Sequence, residues 1–253
     1  MKYRLEEKLS SDKNWVVESP FFNIEDCRIL SGAIPNLVSE GEKYFDLIYT
    51  TNEIVEIDRI KNVSRRNEKL AGKLLLKMLV LQIPELRNAS YLNFNNIEVL
   101  SNNTAPKISF TTGKKIKEFT PQYYFSLSHT ENVVTAACSK KQIGIDLERL
   151  KVLDKDVAES IVDNNALKVF RESLSQNKSD PQLNMDYFPI ILFTQKEAVL
   201  KCAETGLTND LADVILKTFR INGKTRMEFK EDLYLVHSSI LNNYIYSVSI
   251  PTE

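Results

Sequence analysis

The chain has 253 residues and a hydrophobic share of 43%, enough for one large domain or two small ones with a real core. Lys and Arg number 33 against 34 Asp and Glu, so a net charge of −1 offers no global field for nucleic acid or a membrane surface. No run approaches the ~18 apolar residues that cross a bilayer, and the start from Met1 to Glu7 lacks the apolar core of a secretion signal, so a cytoplasmic protein is expected.

The three cysteines, Cys27, Cys138 and Cys202, lack metal-type spacing and read as reduced, packed thiols. The first 60 residues mix short apolar runs (Trp15 to Val17, Phe21 and Phe22, Tyr44 to Tyr49, Ile54 to Ile57) with turn formers, a pattern that predicts short strands and turns. From Ser64, a natural cap, Leu70, Leu74, Leu75, Met78, Leu79 and Leu81 recur at helical spacing until Pro84. Arg59, Lys61, Arg65 and Arg66 gather at the start of that helix, where backbone N–H groups favour anions; a solvated charged turn and a phosphate contact both fit.

Asn93 to Leu100 reads as a strand, and Ser101 to Pro121, with Gly113, Lys114 and Lys115 near its middle, as a loop. Phe125 to Cys138 and the Ile143 run predict two neighbouring strands, with Ser128 and His129 at the turn or edge before them. A lone histidine is more often structural, but His129 lies between hydroxyl side chains in a polar segment ahead of an acid pair, which favours a ligand role. That pair belongs to Ile143, Gly144, Ile145, Asp146, Leu147, Glu148. Period 2 puts both carboxylates on one strand face, where they repel unless a cation lies between them. Mg²⁺ binds through one or two carboxylates and keeps waters and phosphates as its other ligands. Gly144, without a Cβ, admits a backbone or a ligand just before the first acid.

Asp154 to Phe170 predicts an amphipathic helix with Val157, Ile161 and Leu167 inward, followed by a polar loop from Ser173 to Pro181. Thr194 with Glu197 three residues on predicts a capped helix ending at Gly206, on which Glu197 and Lys201 share a face. On this helix alone a surface ion pair explains those two residues. The rest of the chain predicts antiparallel strands with a hairpin at Asn222 and Gly223. Each half of the chain thus has strands, one long helix and more strands. The expectation is an α+β protein of two similar halves related by a pseudo-twofold, each an antiparallel-rich sheet packed on a long helix, with the active site in the cleft between them.

In order along the chain stand Gly113 and Lys114; Ser128 and His129; Gly144, Ile145, Asp146, Leu147 and Glu148; then Phe193, Lys196, Glu197, Lys201, Gly206 and Leu207. This order and spacing resembles the Sfp-type 4'-phosphopantetheinyl transferases, and the run from Leu70 to Met78 is similar to the family's first-half helix. Lys115, Phe193 and Glu204 depart from the family's usual Pro, Trp and Gly. The resemblance implies an enzyme of the holo-[acyl carrier protein] synthase type. It would move the phosphopantetheine arm of coenzyme A to a serine of an apo acyl or peptidyl carrier protein and release adenosine 3',5'-bisphosphate. It further implies Asp146, Glu148 and Glu197 as Mg²⁺ ligands, Glu197 also or instead as base, and Lys201 on the pyrophosphate. Ser128, His129 and Lys114, with some of Arg59, Lys61, Arg65 and Arg66, would contact the nucleotide phosphates. Residues 1–141 would form the coenzyme A-contacting half and 142–253 the metal-binding half. Val152 to Phe170 is the expected carrier surface. A monomer that binds neither nucleic acid nor membrane is expected, and the competing reading is a catalytically idle member of the fold that binds a nucleotide or protein partner.

Overall fold

The computed structural model describes residues 16–18, 24, 27–87, 93–100, 105–112, 115–117, 123–176, 184–205, 209–221 and 223–252. The chain divides into two compact units, residues 1–102 with 106–140, and 103–105 with 141–253. In the first, strands β1 (Val16–Glu18) and β2 (Arg28–Ala33) precede helices α1 (Ile34–Lys43), α2 (Phe45–Ile48), α3 (Thr51–Asp58), α4 (Val63–Leu81) and α5 (Pro84–Arg87). A 3-10 turn at Phe94–Asn96 then leads to β3 (Ile97–Leu100), β4 (Lys107–Thr112), β5 (Lys115–Lys117), β6 (Tyr124–Thr130) and β7 (Val133–Ser139). The strands form two antiparallel sheets, in the orders β1-β2-β7-β6 and β3-β4-β5.

Helix α4 is the spine of this unit. Leu70, Leu74, Leu75 and Leu79 are fully buried in a core that also holds Leu30 of β2 and Val134 and Ala136 of β7. Asn62, one residue before the helix, accepts a hydrogen bond from the Arg65 amide and caps it, whereas Ser64 lies within the first turn and donates to Glu68. The segments Tyr44 to Tyr49 and Ile54 to Ile57 are mainly helical, contrary to the strand expectation. Ile34, Leu37, Val38 and Gly41 line one face of α1 behind Pro35, and Thr50 with Glu53 forms a reciprocal capping box on α3. The stretch expected to be a loop holds β4 and β5. Ile108 and Phe110 alternate into the core, a period too short to stand out among turn-forming residues.

Two lysines of α4 are buried and bound. Lys77 Nζ donates to Glu53 Oε2 at 2.5 Å, to the Ile48 carbonyl at 2.7 Å and to the Phe94 carbonyl at 3.1 Å. Lys73 Nζ donates to the Val99 carbonyl at 2.6 Å and pairs with Glu56 at 2.9 Å. Glu53 takes the Thr50 and Val99 amides as well, so a single carboxylate ties the start of α3, the middle of α4 and strand β3 together.

The second unit contains β8 (Gly144–Arg149), α6 (Lys155–Ile161), α7 (Asn164–Gln176), α8 (Phe188–Cys202), β9 (Ile215–Thr218), β10 (Lys224–Phe229), β11 (Asp232–Leu241) and β12 (Tyr244–Pro251). Its sheet is antiparallel in the order β8-β12-β11-β10-β9, and α8 packs across β8 and β12. The Phe170 and Phe188 rings stack at 4.0 Å, with Phe219 edge-on to both, fastening α7 to α8.

Three expectations change here. β7 and β8 are consecutive in the chain but not paired, because β7 lies between β2 and β6 while β8 pairs with β12. The expected single helix from Asp154 splits into α6 and α7, the second running past Ser173, and Val157 is 47% exposed while Ile161 is buried. Thr194 is not a cap: α8 starts six residues earlier at Phe188, and the Thr194 hydroxyl donates to the Ile190 carbonyl inside it. The apolar run before Thr194 is the first part of a helix buried on nearly every side, so no polar face marks its start. β9 and β10 pair antiparallel across 219–223, the link where a hairpin was expected, and two further hairpin turns fall at Lys230–Glu231 and Asn242–Asn243, all at positive φ; Asn222 and Gly206 lie outside the described residues. The expectation of an α+β fold built on antiparallel sheets and helices holds.

Glu53→Ala would leave two buried ammonium groups short of their common carboxylate, and a loss of about 3–5 kcal/mol is expected, read as a lower urea midpoint. Burial holds the Lys77 ammonium down at about 8 against the ordinary 10.5. Between those values the unfolded chain binds the more protons, so this group's contribution to stability rises with pH across that window. The urea midpoint of the wild type should gain on that of Lys77→Met between pH 8 and 10; parallel curves would contradict the assignment.

Candidate active site

Strand β8 delivers Asp146, and α8 delivers Glu197 and Lys201. The two elements meet at Gly144: a Cβ there would overlap the Ala198 carbonyl oxygen and the Cys202 amide, so only glycine lets the helix backbone lie on the strand. The close approach that the sequence left open is therefore to a backbone. Asp146, two residues on, faces the same side and is 4% exposed. Lys201 Nζ reaches its Oδ1 at 2.6 Å, a charge-assisted bond that crosses from helix to strand. Lys201 thus joins Asp146, a partner that helical spacing alone could not have indicated.

Glu197 is buried one turn before Lys201. Burial pushes its carboxyl above the usual carboxylate range, the Asp146 charge pushes it the same way, and Lys201 opposes them. The Asp146 charge and the Lys201 ammonium thus act on Glu197 in opposite directions. Glu148 shares the Asp146 face of β8 and is half-buried beside Ile245. Among the described residues no three Asp, Glu, His or Cys side chains come together as a preformed metal cage. The three-carboxylate cluster expected from the sequence is thus not preassembled here. Mg²⁺ asks less, since one or two carboxylates with waters and phosphate oxygens suffice, and the hard oxygens of Asp146 and Glu197 fit that demand.

Lys196, beside Glu197, is 1% exposed and donates to the Ile161 carbonyl at the end of α6. Burial lowers its ammonium, against the nearby Asp163 and Asp210 charges. It anchors a helix end and does not face the carboxylates. Burial also pushes the Cys202 thiol up to about 12, so this packed cysteine is no nucleophile.

The first unit holds its own cavity of roughly 660 Å³. Arg65, Lys69 and Lys73 line it with Ser64, Glu68 and His129 over an apolar floor of Leu76 and Leu127. Of the expected phosphate-contacting residues, His129 and Arg65 are brought together here. His129 is 3.8 Å from Glu68. Ser128, its strand neighbour, is buried and turned to the other face of β6, so the two do not share a surface. Arg66 pairs with Glu42 at 3.2 Å, and Arg59 and Lys61 are exposed near the α3–α4 junction without lining the cavity. Lys114 lies outside the described residues. Sequence reading missed Lys69 and Lys73, whose helical spacing of four from Arg65 through Lys69 to Lys73 was the available signal.

Fold and side chains define an α+β protein with a carboxylate–lysine cluster in its second unit and a basic cavity in its first. Residues 142–249 match the model of the 4'-phosphopantetheinyl transferase superfamily. The chain is similar to the 4'-phosphopantetheinyl transferase gsp of Aneurinibacillus migulanus, at 26% identity over 59% of this chain and 53% of that protein. It is also similar to the 4'-phosphopantetheinyl transferase psf-1 of Bacillus pumilus, at 28% identity over 40% of each. The matched region thus spans about half or less of the length of these relatives. The resemblance to the Sfp-type family read from the motifs holds. No helix among the described residues is long and apolar enough to cross a membrane.

Gly144→Ala is expected to force strand and helix apart, at a cost of about 1–3 kcal/mol. A thermal melt together with a structure of the variant would check it, the second by a lengthened Lys201–Asp146 contact; an unchanged melt would contradict the close approach.

Proposed function

We propose that the protein transfers the 4'-phosphopantetheine arm of coenzyme A to a serine of an apo acyl or peptidyl carrier protein, releasing adenosine 3',5'-bisphosphate. The observation that carries this reading is the meeting of Lys201, Asp146 and a desolvated Glu197 where β8 and α8 touch. The halves then divide the labour. His129, Arg65, Lys69 and Lys73 of the first unit take the phosphates at the nucleotide end, and the second unit takes the pyrophosphate. The pseudo-twofold relation and shared cleft expected from the sequence belong to this proposal and rest on the family resemblance.

Asp146 and Glu197, with Glu148 within reach along the strand, would hold Mg²⁺, which when bound neutralises charge growing on the leaving phosphate. Lys201 releases part of its hold on Asp146 and presents its ammonium to the pyrophosphate as a point charge. Glu197, lifted above the usual carboxylate range, is suited to accept the proton of the carrier serine. The serine oxygen forms a bond to the arm's phosphorus as the pyrophosphate P–O bond breaks, and the bisphosphate leaves with the electron pair. Most of the acceleration then comes from orientation and fixed charge.

The departures from the family pattern leave these residues in place. Glu204 stands at φ 55, a left-handed position where glycine costs less, so its difference concerns the loop after α8 and not the chemistry. The carrier surface is assigned to the segment that follows β8, where Val152 and Val157 are 63% and 47% exposed. An acidic carrier would meet these apolar anchors beside local lysines.

Incubation with coenzyme A, Mg²⁺ and an apo carrier should add the arm's mass to the carrier by mass spectrometry, and Asp146→Ala should abolish transfer while the fold persists. Coenzyme A binding without transfer by the wild type would instead favour the idle binder. Val157→Asp should raise the KM for the carrier several-fold and leave that for coenzyme A alone, whereas Ile161→Asp, aimed at a core residue, should unfold the unit.

A further inference from the structure

Helix α8 carries Gln195 as well as Glu197 and Lys201, and Gln195 is fully buried although the proposed chemistry does not use it. Its Nε2 donates to Ser238 Oγ at 2.9 Å and to Thr225 Oγ1 at 3.3 Å. Ser238 Oγ lies 2.9 Å from Ser247 Oγ, and Ser247 stands opposite Asp146 in the β12–β8 register. Opposed residues of an antiparallel pair share a face. A buried polar row therefore crosses the sheet beneath the helix, from Thr225 through Ser238 and Ser247 to Asp146, where Lys201 closes the circuit back to α8.

Hydroxyls in the middle of a helix–sheet interface call for a reason, because apolar side chains of similar size would hold the helix as firmly. They add registration. A helix on an apolar bed can settle in neighbouring arrangements, but a shift of one residue, a rise of about 1.5 Å, breaks a 2.9 Å hydrogen bond. We propose that Gln195, with Ser238 and Ser247, is a positioning element that sets α8 on the sheet so that Lys201 and Glu197 meet Asp146. The role in transfer rests on the activity proposed above; the role in setting the helix does not.

Gln195→Met separates this from simple support. Methionine keeps the length and leaves no partner stranded: Thr225 Oγ1 retains the Arg220 amide and carbonyl, each at 2.9 Å, and Ser238 retains Ser247. A structural role alone then predicts little change in any readout. The 253-residue chain and its Gln195→Met and Ser247→Ala variants would be compared by thermal melt, transfer kinetics and amide hydrogen exchange along 196–202. Positioning predicts, for Gln195→Met, a melt within about 3 °C of wild type. It also predicts a kcat lower by roughly 10- to 100-fold, a coenzyme A KM within about twofold, and faster exchange in that segment. Ser247→Ala should move kcat and exchange in the same direction. Unchanged kcat and exchange in Gln195→Met would overturn the proposal, as would a loss confined to KM or a melt that collapses along with the rate. If the wild type transfers nothing, the proposed activity fails, and the exchange comparison alone still decides whether Gln195 registers the helix.

Discussion

The second unit depends on one close approach. Gly144 lets the backbone of α8 lie directly on β8, and that distance, shorter than any side chain would permit, brings the Lys201 ammonium to 2.6 Å from Asp146. It also places Glu197 close enough to Asp146 for the Asp146 charge to oppose the ionisation of Glu197, which burial already disfavours. Two buried carboxylates and a lysine in this arrangement are costly without a cation or phosphate ligand to complete them. An apolar contact would pack the same elements at lower cost, which is why the proposal reads the arrangement as a site and not as a stabilising ion pair.

The first unit spends buried charge differently. Glu53 accepts from two backbone amides and from Lys77, and Lys73 and Lys77 in turn bind three backbone carbonyls, so the charges are satisfied by the chain itself. That network fastens α3 and β3 to the spine helix. Lys73 also lines the basic cavity, so the residues that hold the helix in place shape the surface offered to an anion. On the proposed function, stability and binding would share side chains here.

The sequence disclosed what depends on local pattern. The α4 periodicity, the alternation in Ile143 to Glu148 and the order of the motif blocks each need only a few consecutive residues, and they led to the α+β class and to Asp146, Glu197 and Lys201. What it hid depends on contacts made elsewhere. Thr194 and Glu197 have the spacing of a capping box but lie in the interior of a helix whose buried first turns look like a strand. β8 follows β7 in the chain but pairs with the last strand, a partner more than 90 residues away that no local signal names. Ser128 and His129 are adjacent in a motif and opposite on a strand. The role of Gln195 became visible only when Ser238 and Ser247 were found beneath it.

The functional account rests on Asp146 and Glu197 acting together on one divalent cation beside bound pyrophosphate. Calorimetric titration of coenzyme A with and without Mg²⁺ tests it most directly. The account predicts that Mg²⁺ tightens coenzyme A binding to the wild type and that Glu197→Gln, folded as before, loses this gain; an equal gain in both proteins would contradict it.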